Sequence, residues 1–169
     1  MTTDTHFRLE KTNHIARLVL NRPKRRNAMD MEFFDALAGH FKTLDADPEV
    51  RVVVLCAEGK IFTAGLDLAA AGSLLSNPGA DGREALRRKV LALQAAMDAV
   101  ENCRQPVIAA VHSHCIGGGV DLLSACDIRL AAADAVFSIR ETRLAIIADL
   151  GTLQRLPHII GQGWFRELA

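Results

Sequence analysis

The sequence has no excess of charge of either sign. Lys and Arg number 20 against 20 Asp and Glu, and the pI is near 7.0. This excludes the broad basic field that holds a nucleic acid or an anionic membrane by bulk electrostatics, while a local basic cluster stays open. Long hydrophobic runs are also missing. The apolar stretches are short and broken by charges or glycines, far from the ~20 residues of a membrane span. The opening MTTDTHFRLEK holds acids and no apolar core, so no signal peptide is expected, nor an Arg- and Ser-rich transit segment. Cysteines are confined to Cys56, Cys103, Cys115 and Cys126, without a CxxC pair. Free thiols in a reducing, cytoplasmic setting are the expectation. Internal repeats, low-complexity tracts, the P-loop GK[ST] ending and the dinucleotide pattern GxGxxG are absent as well.

What is present suits one packed domain over residues 1–169, with 50% apolar composition. A chain of this size buries roughly 70% of its unfolded surface. His14–Leu20, Arg51–Cys56, Val107–Val111 and Ile128–Ala132 are β-rich, most of them nearly continuous apolar runs, as in strands covered on both faces. Between them lie helical rhythms. Phe33, Leu37, Phe41 and Leu44 line one face of a helix over Asp30–Asp45, and Leu86, Val90, Leu93, Met97 and Val100 one over Glu84–Asn102. A third helix is predicted from Gly117 to about Cys126. Ser73–Gly82 reads as a turn-rich surface loop. The pattern predicts an α/β fold with largely parallel sheet. Gly163–Ala169 resembles a helix just begun, with Trp164 and Leu168 on one face. Its partner is then another chain, or the sequence is a fragment.

Two glycine-marked loops invite chemistry. Gly117–Gly119 follows the Val107–Val111 strand and opens an apolar helix, where unpaired N–H groups and the positive dipole end favour negative charge. Phe62–Leu68 (FTAGLDL) follows the Arg51–Cys56 strand and offers a second exposed amide. Two such amides converging on one oxygen would form an oxyanion hole. The plainer alternative is a tight turn or close helix packing. Three carboxylates stand in or near apolar, glycine-marked segments. Asp121 could merely compensate a helix dipole, Glu141 pair with Arg140 or Arg143, and Asp149 cap a helix. Grouped in one pocket, they would instead spread their pKa values, so that one site holds an acid and a base. His112, His114 and Cys115 lack a fourth ligand at a suitable spacing, so no metal is expected. Arg22, Lys24, Arg25 and Arg26 form a solvated loop or a phosphate clamp.

LNRPKRRNAM (Leu20–Met29), FTAGLDL, CIGGGVDLLSACDIRLA and LGTLQRLP, in this order along essentially the whole chain, resemble the crotonase (enoyl-CoA hydratase/isomerase) superfamily, and within it the dienoyl-CoA isomerase branch. In the hydratases the positions of Asp121 and Glu141 are both glutamate, and that of Asp149 is usually glycine. The resemblance implies a crotonase-like core of ββα repeats wound in a spiral, and a shift of a 3,5-dienoyl-CoA to the 2,4-diene, as in fatty-acid β-oxidation. It puts the oxyanion-hole amides on Leu66 and Gly118. Glu141 and Asp149 become the proton-transfer pair, with Asp149 as base at C2 and Glu141 as acid at C6, and Asp121 tunes them. One of Glu141 and Asp149 should then have a raised pKa. Ala64, Gly65, Leu66, Asp67 and Leu68 form the acyl-CoA entry strip, and Lys24, Arg25 and Arg26 lie near the CoA phosphates. The implied partner is an acyl-CoA thioester, with no nucleic acid, membrane, metal or separate cofactor. A further C-terminal helical portion is implied after Ala169, with a homotrimer or dimer of trimers for a full-length chain. Ala145 replaces a glycine common in the family. The alternatives are an enoyl-CoA hydratase and a non-catalytic, truncated crotonase-fold binding module.

Overall fold

The computed structural model describes residues 6–72 and 79–169. Strands β1 (Phe7–Thr12) and β2 (Ile15–Leu20) form an antiparallel hairpin, with Thr12 opposite Ile15. Its two-residue turn has positive φ at Asn13 (51°) and His14 (66°), the twist that a tight hairpin requires. Helix α1 (Met31–Ala46) follows, capped by Asp30, whose carboxylate accepts the Phe33 amide. Then come β3 (Val52–Ala57), the short α2 (Leu68–Ala71), α3 (Ala80–Glu101) and β4 (Val107–Val111). The chain continues through β5 (His114–Ile116), α4 (Gly118–Ala125), β6 (Ile128–Ala131), β7 (Val136–Ser138) and α5 (Thr152–Leu168).

The main sheet runs β1-β2-β3-β4-β6, parallel except for the first pair, and β5 and β7 form a small parallel sheet. This is the α/β, mainly parallel arrangement expected from the alternating periodicities. Alternate residues of the central strands enter one core: Leu18 and Leu20, Val53 and Leu55, Val107 and Ala109. Phe33, Leu37, Phe41 and Leu44 of α1 join them, each large side chain contributing about 1.5–3 kcal/mol on burial. In α3, Leu93, Met97 and Val100 are buried, while Leu86 and Val90 are only half-buried. A smaller cluster gathers Val120, Ile139, Ala148 and Leu156.

Three boundaries differ from expectation. β1 reads FRLEKT and carries too few apolar residues for its pairing to show in its periodicity. Residues 73–78 of the expected loop Ser73–Gly82 lie outside the described residues, and Ala80–Gly82 form the first turn of α3. Gly163–Leu168 is the far limb of α5, with Ala169 at its C-cap, and the helix bends at Gly161 (φ 77°, ψ 161°). Leu168 packs on the smaller cluster, whereas Trp164 stays 69% exposed. No helix among the described residues is long and apolar enough to cross a membrane.

Candidate active site

The loops after β3 and β4 meet beyond the carboxyl ends of these neighbouring parallel strands, where open α/β sheets commonly bind ligands. Thr63 pairs with Cys115 in a parallel bridge, and Met29 with Leu66. The fully buried Thr63 hydroxyl donates to the Asn27 carbonyl at 2.7 Å and accepts the Gly65 amide at 3.0 Å. Gly65 has φ +82°, and a Cβ there would lie 2.5 Å from the Ile116 carbonyl oxygen and 3.2 Å from the Gly118 amide nitrogen. Only glycine permits both that backbone angle and that approach.

Leu66 and Gly118 are thereby set side by side. A Cβ built on Gly118 would stand 3.7 Å from the Leu66 nitrogen. Among the described residues neither amide donates a hydrogen bond, and Gly118 opens α4, where N–H groups have no helical partner. Gly119 serves packing instead, since a Cβ there would come within 2.4 Å of the Thr63 methyl and 2.9 Å of the Cys115 sulfur. The triplet therefore combines the two roles that its sequence left open.

A cavity of about 350 Å³ lies against this pair, lined by Ala64, Leu66, Leu68, Ile116, Gly117 and Gly118 on one side and by Arg140, Glu141, Leu144 and Ile146 on the other. Glu141 sits in a 3-10 turn (Glu141–Leu144). Its Oε1 is 3.3 Å from the position of a Cβ on Gly117, and its Oε2 is buried without a hydrogen-bond partner. Burial raises the Glu141 pKa, and the negative charges of Asp121 and Asp149 add to the rise. Asp121 is 1% exposed. Burial pushes its pKa upward, against the pull of Thr152, whose amide donates to Asp121 Oδ1 at 2.7 Å.

Asp149 is placed differently. It is exposed and lines a neighbouring polar cavity of about 390 Å³ with Gln94, Asp98, Glu101, Gln154 and Arg155. Its charge is nevertheless felt at both Asp121 and Glu141. Asp149 does not cap α5; Gly151 occupies the cap position.

The strip Ala64–Leu68 splits by role. Asp67 caps α2 by accepting the Ala69 and Ala70 amides and pairs with Arg25 at 3.1 Å. The Arg25 hydrogen bond is the largest cause of its lowered pKa. Arg25 is thus engaged, whereas Lys24 and Arg26 line a third cavity of about 480 Å³ together with Lys60. The Arg26 carbonyl accepts the Ala64 amide at 3.0 Å, which stitches the basic loop onto the Ala64–Leu68 loop.

Sequence reasoning did not single out Asn27, the residue that anchors this loop. Asn27 is 2% exposed. Its side-chain nitrogen donates to the carbonyls of Glu58, Ile61 and Phe62, and its oxygen accepts the Arg22 amide. An asparagine directly after five basic or proline residues, where a turn must close, was the available signal.

His112 bonds the Gly59 carbonyl and His114 the Ser113 hydroxyl, while Cys115 is buried. No cluster of three His, Cys, Asp or Glu that could hold a metal occurs among the described residues. All four cysteines are free thiols, and burial pushes the Cys126 thiol up to about 12.

The enoyl-CoA hydratase/isomerase family model matches residues 10–169. The chain belongs to this family. It is 48% identical over 179 residues to the peroxisomal Delta(3,5)-Delta(2,4)-dienoyl-CoA isomerase of Arabidopsis thaliana, covering 100% of this chain and 64% of that protein. To the mitochondrial isomerase of the same name from Dictyostelium discoideum it is 44% identical, covering 100% of this chain and 60% of that protein. The chain therefore spans less than two thirds of the length of these relatives. The crotonase-like fold is shared with solved structures. An enoyl-CoA hydratase/carnithine racemase of Magnetospirillum magneticum aligns with TM-score 0.85 and 33% identity over 96% of this chain and 60% of that one. A Thermobifida fusca protein solved with acetoacetyl-CoA aligns with TM-score 0.83 and 30% identity over 97% of this chain and 65% of that one.

Proposed function

We propose that this family member shifts a 3,5-dienoyl-CoA to the 2,4-dienoyl-CoA. The observation that carries the reading is the Leu66 and Gly118 amide pair, side by side at an apolar cavity with the Glu141 carboxylate over Gly117. The two amides hold the thioester oxygen as it gains charge, a kind of contact worth about 2.7–4 kcal/mol per donor. Removal of the C2 proton gives a conjugated dienolate. Protonation at C6 then regenerates the thioester carbonyl with double bonds at C2 and C4.

Glu141 stands beside the hole and therefore nearest C2. This favours Glu141 as the base at C2, the reverse of the assignment expected from the resemblance, and leaves Asp149, which lines the neighbouring polar cavity and not this one, as the acid at C6 where the acyl chain runs past its turn. A raised carboxylate pKa also suits a base working near neutrality. Exchange with solvent returns the pair to its starting state after each turnover. Asp121, beneath both, tunes them by charge. Lys24 and Arg26, with Lys60, suit the CoA phosphates. The chemistry calls for no resident metal or redox cofactor. The four free thiols support a reducing compartment, and the cytoplasm is our reading. Exposed Ile128, Leu130, Ile147 and Trp164 suit burial against further chain or other copies, as in a homotrimer or dimer of trimers of a full-length chain.

A hydratase is the second reading. It is favoured by the exposure of Asp149, which leaves Asp121 and Glu141 as the paired carboxylates, and a Syntrophomonas wolfei relative 36% identical over 163 residues is a crotonyl-CoA hydratase. Both activities are measured with Asp149→Asn beside the wild type, by the ultraviolet absorbance of the conjugated product and by hydration of a 2-enoyl-CoA. Loss of a general acid should slow isomerisation by about 10²–10⁴-fold. Equal isomerisation rates would remove Asp149 from the mechanism, and hydration without isomerisation would establish the second reading.

A further inference from the structure

The polar cavity beside Asp149 contains an arrangement that proton transfer itself does not require. Gln94, Asp98 and Glu101 are spaced by four and three residues along α3 and so share one face. All three face the turn that opens α5. Gln94 Nε2 donates to the Asp149 carbonyl at 2.7 Å. Arg155, with its side chain only 13% exposed, reaches Asp98 Oδ1 and Glu101 Oε2 at 2.6 Å each through Nη2. Its Nε adds a second bond to Glu101, and its Nη1 donates to the Leu150 carbonyl at 3.2 Å.

Gly151 completes the arrangement. It has φ +125°, and a Cβ there would lie 1.7 Å from Arg155 Nη1, so the guanidinium fills the space a side chain would take. The next amide, Thr152, is the donor to Asp121. Successive backbone groups from Asp149 to Thr152 are therefore held from α3, from α5 and from the buried carboxylate. Asp98 and Glu101 are about half exposed, and exposed ion pairs contribute little to stability. What immobilising the guanidinium secures is position.

We propose that Arg155, braced by Asp98 and Glu101, is a positioning residue that sets the Asp149–Thr152 turn against Asp121. This rests on the isomerase reading above, in which Asp149 takes part in the proton transfer and Asp121 tunes it. A displacement of the turn by about 1 Å should cost kcat up to 10²-fold with little change in KM.

The test uses the full chain with Arg155→Gln, Arg155→Lys and Glu101→Gln. It reads kcat and KM for diene isomerisation, the pH–rate profile, the melting temperature, and the titration of Asp121 by carboxyl NMR with labelled aspartate. Arg155→Gln is expected to lose about 10- to 100-fold in kcat, with Arg155→Lys recovering part of it and Glu101→Gln losing less. The Asp121 titration, raised first by burial and then by Asp149 and held down by Thr152 and Arg155, should move to higher pH once the cation is gone. If Arg155→Gln does not fold, the other two variants decide on the same readouts. A lowered melting temperature with unchanged kcat, pH profile and Asp121 titration would overturn the proposal. Should the wild type fail to isomerise dienes, the functional reading fails, while the Asp121 titration still decides the positioning role.

Discussion

Replacing Gly65 by alanine perturbs both structure and chemistry at one atom. The new Cβ would stand 2.5 Å from the Ile116 carbonyl oxygen. That carbonyl cannot withdraw freely, because the Ile116 amide is bonded to Thr63 and the Gly117 amide to Ser138. A left-handed alanine costs roughly 1–2 kcal/mol, and an overpacked contact about 1–3 kcal/mol. Together these should lower the melting temperature by roughly 5–15 °C in a domain this size. Any relaxation moves Leu66 away from Gly118, and a hole reduced to one donor loses about 10²–10³ in kcat. Gly118→Ala separates the two effects. Its Cβ meets Met29 Sδ at 3.5 Å and the Leu66 nitrogen at 3.7 Å, ordinary contacts. It should fold nearly as well as the wild type yet cover the amides and abolish activity. Denaturation curves with ultraviolet assays of conjugated product measure both variants. If folded Gly65→Ala or Gly118→Ala keeps kcat within about threefold of wild type, an oxyanion hole at these amides is refuted.

Asp121→Asn should gain stability relative to wild type as pH rises. The folded-state pKa lies above the ordinary aspartate value because the group is buried, so stability present below that ordinary value is lost as pH climbs through the folded pKa. The asparagine keeps an oxygen for the Thr152 amide, and urea unfolding at pH 3 and pH 7 checks the sign. Ala145→Gly should stabilise by about 0.5–1 kcal/mol, since Ala145 ends the Glu141 turn at φ 55°; an unchanged or lowered melting temperature would contradict this. Asn27→Ala should cost about 2–4 kcal/mol, because it strips hydrogen bonds from three carbonyls and one amide at a buried position. Equilibrium unfolding with a loss below about 1 kcal/mol would show that water replaces them.

Much of the fold was legible because its signals are local. The four α1 positions at helical spacing are all buried, and the apolar runs of β2, β3, β4 and β6 pair as parallel neighbours. Elements defined by partners rather than by pattern were not legible. β5 and β7 are three residues each, too short for any periodicity, and exist only by pairing. α5 contains Pro157 and bends at Gly161, which breaks the rhythm that would have announced it. Arg155 looked like one surface arginine among many, since its partners Asp98 and Glu101 are 57 and 54 residues away.

By itself the sequence determined the alternation of strand and helix, the two glycine-marked loops and the identity of the acids, since each depends on residue type and short spacing. Tertiary structure alone decided that the Leu66 and Gly118 amides lie together, that Glu141 is half-buried with one carboxylate oxygen unpartnered, and that Asp149 opens toward α3 and not into the apolar cavity. Burial, charge coupling and the convergence of amides are properties of the space between segments far apart along the chain. They come into being only when the β3 and β4 loops close on each other.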